Sequence, residues 1–192
     1  MSSFLARRLE VLSDIMFGVA MTVPVYSLPL PGPGVRLASW YPVLRPMLGP
    51  LAALGCSFLF TGIFWFSHHR RLRLTVARTR RFLFVSFAFL FLIVLLPAST
   101  VLYGRDPFVP WVATLYAAHL AVIAWANAVL WVAVILEQPS RPWQLLIGPV
   151  ILAAVFLLAA LVGPHAPRLA AGLWLAIIMA PLADARLTRQ LS

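Results

Sequence analysis

The chain has 192 residues, of which 62% are hydrophobic and only 10% charged. Soluble domains carry about 45–50% apolar and about 25% charged residues, so this composition excludes a water-soluble domain and puts most of the chain in a bilayer. Fifteen basic residues stand against five acidic ones, and every basic residue is Arg. The single Cys56 excludes an intrachain disulfide framework, and no Cys/His spacing suggests a metal site. Arg without Lys, beside much Ala, Leu and Pro, points to a GC-rich bacterial genome, and so to a bacterial cytoplasmic membrane.

A spanning helix needs about 20 mostly apolar residues, and irregular backbone cannot face lipid. The sequence therefore predicts an all-α, polytopic membrane protein with six transmembrane helices. The first covers about residues 9–28 and is closed by "PLPGPG". Its Glu10 and Asp14, and the lack of a small-residue cleavage site, argue for mature structure rather than a signal peptide. The second helix covers 46–66, the third 82–103, the fourth 110–136, the fifth 143–162 and the short sixth 167–183. Pro46, Pro110 and Pro167 suit first-turn positions, where the missing N–H costs nothing. No repeat, linker or separate soluble domain is evident, so residues 1–192 form one six-helix unit.

Orientation follows from the arginines. The N-terminus, second loop, fourth loop and C-terminus carry eleven of the fifteen, which makes both termini cytoplasmic. The second loop, "HHRRLRLTVARTRR", supplies most of that bias. It reads as a topology signal touching anionic lipid headgroups rather than as a nucleic-acid site.

The first helix poses the chemical question. Asp14 stands near the start of an apolar span, with Glu10, Val11, Phe17 and Gly18 at three and four positions. None of these is basic, so its partner must come from another helix or from water. Candidates lie on the second helix, in "WFSHH": Trp65, His68 and His69. With Asp14 at zero, Val19, Thr22, Val23 and Tyr26 fall at roughly 140°, 80°, 180° and 120°, one stripe from which Asp14 stands apart.

These residues resemble a known family. "RLEVLSD" is similar to the R-x-x-x-F-S-D signature of the transmembrane protein 175 family of potassium channels, with Arg8, Ser13 and Asp14 matching and Leu12 in place of Phe. In "SFLFTGIFWFSHHRRL", Ser57, Phe58, Trp65 and His68 match the family's second helix. "LLPASTVLYG" supplies Pro97 and Thr100 of the third, while Ser86 replaces a usual Asn. The resemblance implies a homotetramer of six-helix units whose first helices line a pore for potassium, without a carbonyl-lined filter loop and without any cofactor. It implies a tightest ring at Val19, a hydroxyl nearby at Thr22 and further rings at Val23 and Tyr26. It also implies an interhelical network of Arg8, Ser13, Asp14, Trp65 and His68. Val19 and Val23 are smaller than the usual Ile or Leu, Tyr26 is larger, and Pro24 predicts a kink.

Elsewhere the plain readings prevail. His68 and His69 read as interfacial, and His119 as hydrogen-bonded between helices near Tyr116 and Asn127. Trp40, Trp65, Trp111 and Trp143 read as interfacial anchors, and Asp106, Glu137 and Asp184 as solvated. No residue pattern suggests an enzyme. Beside the channel stand two alternatives: a proton-coupled transporter using Asp14 and His68, for which no inverted repeat is seen, and a non-conducting membrane scaffold.

Overall fold

A computed structural model describes residues 2–32, 40–75, 80–137 and 143–174. The elements run α1 (Ser2–Thr22), a 3-10 turn (Val23–Ser27), α2 (Tyr41–Leu44), a 3-10 turn (Arg45–Met47), α3 (Leu48–Leu74), α4 (Arg80–Arg105) and α5 (Pro110–Glu137). A further 3-10 turn (Trp143–Leu146) leads into α6 (Ile147–Val162), and residues 167–174 are helical again. Among the described residues there is no strand. Beyond their first turn, helices satisfy their backbone donors within the segment, which is what hydrocarbon demands.

Among the described residues, five stretches are long and apolar enough to cross a membrane: Arg8–Ser27, Tyr41–Leu74, Arg80–Arg105, Pro110–Glu137 and Trp143–Val162. They correspond to the first five predicted spans, and the protein is a multi-pass membrane protein. The predicted sixth begins at 167, and its part beyond residue 174 lies outside the described residues, as do Asp184 and the C-terminal arginines.

Two boundaries depart from expectation for clear reasons. α1 ends at Thr22, and the winding tightens to 3-10 over Val23–Ser27. Pro24 has no N–H to return to Ala20, so the expected kink takes the form of a change in helix type. The second span was expected to end near residue 66, but α3 continues to Leu74. Arg70, Arg71 and Arg73 are therefore helical rather than part of a loop. At about 1.5 Å per residue α3 is roughly 40 Å long, more than a hydrocarbon core of about 30 Å, so it can carry charge past one edge of that layer.

An aromatic seam runs through the bundle. Phe17 meets Phe89 at 6.1 Å between ring centroids, Phe89 meets Phe64 at 6.4 Å, and Phe64 meets Phe156 at 6.4 Å. Phe60 stands edge-on to Phe156 at 5.1 Å and to Trp174 at 6.5 Å, and Tyr103 stacks on Tyr116 at 4.7 Å. Such pairs contribute about 0.5–1.5 kcal/mol each beyond their buried area. α4 packs against α1, α3 and α5, and α5 packs against α6; α1 rests mainly on α3 and α4.

One close backbone approach lies where α3 and α4 meet. A Cβ on Gly104 would sit 3.1 Å from the Pro50 Cα and 3.3 Å from the Ala53 Cβ. Gly104→Val should therefore force the helices apart and cost about 1–3 kcal/mol. Gly148→Val on α6, where a Cβ meets nothing within 4 Å, should be far milder. Thermal unfolding of the two variants in detergent checks the ranking.

Candidate ion pathway and its anchoring network

α1 has two unlike faces. Leu9, Ser13, Phe17 and Ala20 are buried, and Pro24 continues that face into the 3-10 turn. Their spacing of three and four residues is that of a helix face set into a bundle. On the other side Val11, Ile15, Val19, Thr22, Val23 and Tyr26 are exposed, Val19 at 48% and Tyr26 at 88%. All four stripe residues thus point away from their own subunit.

Thr22 is oriented by its own helix. Its hydroxyl donates to the Gly18 carbonyl at 2.9 Å, with the Val19 carbonyl at 3.3 Å. The proton is used, and the oxygen lone pairs remain for a cation or for water. Beside this end of α1 an open apolar groove of about 600 Å³ runs toward α3, lined by Met21, Thr22, Val25, Leu54, Phe58 and Leu59.

Asp14 also lies exposed, at the edge of the packed face. Trp65 of α3 donates its indole Nε1–H to Asp14 Oδ1 at 2.8 Å. Trp65 is thus a bonding partner within α3, nine residues short of its end, and not an anchor at a helix terminus. His69 stacks on Trp65 at 5.6 Å, and its Nδ1 lies 3.6 Å from Glu10 Oε1. Ser13 donates to the Glu10 carbonyl of its own helix at 2.7 Å, and Arg8 is exposed on α1.

His68 goes elsewhere. It is 1% exposed, and its Nδ1 lies 2.7 Å from Nη2 of Arg71. Among the described residues no hydrogen bond joins it to Asp14. Its ring stacks on Phe89 at 5.6 Å and tilts against Phe17 of α1 at 5.7 Å. The expected grouping of Asp14, Trp65 and His68 therefore divides into two contacts along α3. The reading of His68 as interfacial is also corrected: the ring is inside the bundle.

Sequence reasoning missed the centre of the second contact. Arg71 is fully buried, not a headgroup contact as its place in a basic run suggested. Its Nη1 donates to Asn127 Oδ1 of α5 at 2.6 Å. Ser67 donates to the same oxygen at 3.1 Å, and Trp131 donates its Nε1–H to Ser67 Oγ at 2.9 Å. A signal existed: Ser67 and His68 precede Arg71 by four and three residues, the spacing that puts side chains on one helix face. His119 bonds between helices as expected, but to different groups. Its Nδ1 lies 2.8 Å from Ser99 Oγ and its Nε2 3.1 Å from the Leu92 carbonyl, both on α4. Ser57 of α3 and Thr100 of α4 join their hydroxyls at 2.7 Å. No group of His, Cys, Asp and Glu suited to a metal occurs among the described residues.

The model of the family described as the endosomal/lysosomal potassium channel TMEM175 matches residues 8–97. Residues 8–97, a little under half of the chain, are thus similar to the TMEM175 family. The matched span holds α3, the whole membrane-spanning part of α1, and α4 as far as Pro97, and so both Asp14–Trp65 and His68–Arg71. A solved structure extends the likeness to the whole fold. The crystal structure of a lysosomal potassium-selective channel TMEM175 homolog from Chamaesiphon minutus superposes with a TM-score of 0.80 at 21% identity, covering 97% of this chain and 98% of that one. No curated protein sequence matches the chain. The family and this neighbour are described as ion channels, not enzymes.

The Asp14–Trp65 bond ties α1 to α3. A double-mutant cycle of Asp14→Ala and Trp65→Phe should give a coupling of about 0.6–2 kcal/mol, the range for interhelical hydrogen bonds in membranes. Asp14→Asn, which keeps an acceptor oxygen, should retain most of the stability. Thermal melts of the four cycle members and of Asp14→Asn check both points.

Proposed function

We propose that the protein is a potassium-permeable channel in the bacterial cytoplasmic membrane, with both termini cytoplasmic, formed by four copies whose α1 helices surround the pore. The observation that carries this reading is the unpartnered stripe of α1. It presents Val19, Thr22, Val23 and Tyr26 outward, with Asp14 on the same helix, while the opposite face is buried. A lipid-facing stripe is expected to be the most apolar part of a bundle. Here the open face of α1 carries Asp14, Gly18, Thr22 and Tyr26 among its valines. Its open face therefore suits a pore shared by copies of the chain better than it suits lipid. The likeness of residues 8–97 to the TMEM175 family supports the same conclusion, since that family is described as a potassium channel.

In this reading the side chains of α1 set the width of the path. A ring of Val19 offers no ligand to an ion and excludes water when narrow. Potassium holds its hydration shell less tightly than sodium, so a partly dehydrating constriction favours potassium. The Thr22 oxygens, one turn away, supply acceptors to the partly stripped ion, and Val23 and Tyr26 narrow the path beyond. The permeating ion is the cargo, and no cofactor is required.

The proton-coupled transporter loses the pair on which it rested, because His68 bonds to Arg71 and not to Asp14. The non-conducting scaffold is tested by conduction itself. Val19→Asn should wet the constriction, raise potassium flux into liposomes and weaken discrimination against sodium; Val19→Phe should block. If Tyr26→Ala raises flux more than Val19→Asn, the narrowest ring is at Tyr26. If none of the three changes flux through an intact oligomer, α1 does not line a pore.

A further inference from the structure

We propose that Arg71 is a positioning residue for the pore helix: it locks the His68 ring in one tautomer and orientation, and that ring is the seat on which Phe17 of α1 rests. The proposal rests on the reading of α1 as the pore lining and assigns a function to the buried cluster behind it.

The tautomer follows from the donors present. A guanidinium has five N–H donors and no acceptor. The contact of Arg71 Nη2 with His68 Nδ1 at 2.7 Å is therefore a bond in which Nδ1 accepts. An accepting Nδ1 leaves the ring proton on Nε2, and the ring is neutral. The opposite tautomer would point an N–H at an N–H and push the ring away from the guanidinium.

Arg71 is itself held from three helices. It is carried by α3, Asn127 of α5 accepts from its Nη1 at 2.6 Å, and its guanidinium lies 5.3 Å from the ring centroid of Phe89 on α4. Asn127 is fixed in turn by Ser67, and Ser67 by Trp131. This fork cannot swing without breaking several charge-assisted or buried bonds. The His68 ring inherits that rigidity. It stacks on Phe89 with an interplanar angle of 18° and meets Phe17 at 45°. Phe17 is 1% exposed and lies two residues before Val19 in α1. A ring freed from Arg71 would rotate, and the support under Phe17 would move with it. A further mark of the locked state is that Nε2 of His68 is buried without a hydrogen-bond partner. A ring free to choose would turn that donor toward an acceptor.

The test combines a spectroscopic and a functional readout on the full-length protein in liposomes. Nitrogen-15 spectra of histidine-labelled protein, with the His68 signals assigned by their loss in His68→Asn, should show a neutral ring protonated at Nε2. In Arg71→Met those signals should move toward the other tautomer or a mixture. Arg71→Lys, which keeps a donor but not the planar fork, should restore the tautomer at least in part. Potassium flux in Arg71→Met should change by about three- to thirtyfold, the range that one interhelical hydrogen bond commands in membranes, and Arg71→Lys should recover part of it. A wild-type His68 ring protonated at Nδ1, or an Arg71→Met spectrum identical to wild type, overturns the proposal. If Arg71→Met does not fold, the wild-type spectrum and Arg71→Lys still decide. Failure of the channel reading is seen separately, because Val19 variants would then leave flux unchanged while the histidine spectra stood as expected.

Discussion

A polar side chain inside a bilayer has no water to fall back on and must find its partner on a neighbouring helix. This constraint organises the bundle. Ser57 meets Thr100 between α3 and α4, Ser99 meets His119 between α4 and α5, and Arg71 meets Asn127 between α3 and α5. Ser99 and Thr100 can do this because each also has a bond within its own helix: both reach the Leu96 carbonyl, at 3.0 and 2.9 Å. One interaction secures the rotamer, and the other sets the register between helices. Aromatic packing fills the space between these points but specifies register less sharply, since rings slide more easily than hydrogen bonds stretch.

α1 is held differently from the other helices. It is held to the bundle by an apolar face around Phe17, by the reach of Trp65 to Asp14 and by the approach of His69 to Glu10. Its remaining surface mixes valines with Thr22 and Tyr26, and no element described here covers it. A helix of this composition is poorly suited to lipid, which rewards uniform apolarity, and poorly suited to a dry core, which rewards matched packing. It fits a boundary between protein and water.

The sequence carried the spans well because the apolar runs are long and because Pro and Gly punctuate them. α5 was legible to within one residue, since Pro110 opens it and Glu137 closes it. The end of α3 was not. Arginines are read as loop in a hydropathy argument, yet a helix longer than the hydrocarbon layer can carry them beyond its edge. Arg71 was hidden for a related reason. Its burial depends on Asn127, which lies 56 residues away in the chain, and no local pattern states that two such residues meet. Asp14 was more legible, because a carboxylate in an apolar span must have a partner and few donors were available. That requirement narrowed its partner to three residues, although it did not separate Trp65 from His68.

The stretch from Trp65 to Arg71 shows why the helical continuation of α3 matters. Residues three apart on a helix differ by roughly 60° in direction. Trp65, His68 and Arg71 thus fan across about 120° of the helix surface in under two turns. Trp65 reaches Asp14 of α1, His68 lies between Phe17 of α1 and Phe89 of α4, and Arg71 reaches Asn127 of α5. One rigid segment therefore touches three helices in sequence and fixes α1 relative to the other two. A loop beginning near residue 67 could not do this, because the angles between successive side chains would not be set by the backbone. The basic run is a structural clamp over its first residues, and any bias it gives to topology is carried by the arginines that remain outside the bundle.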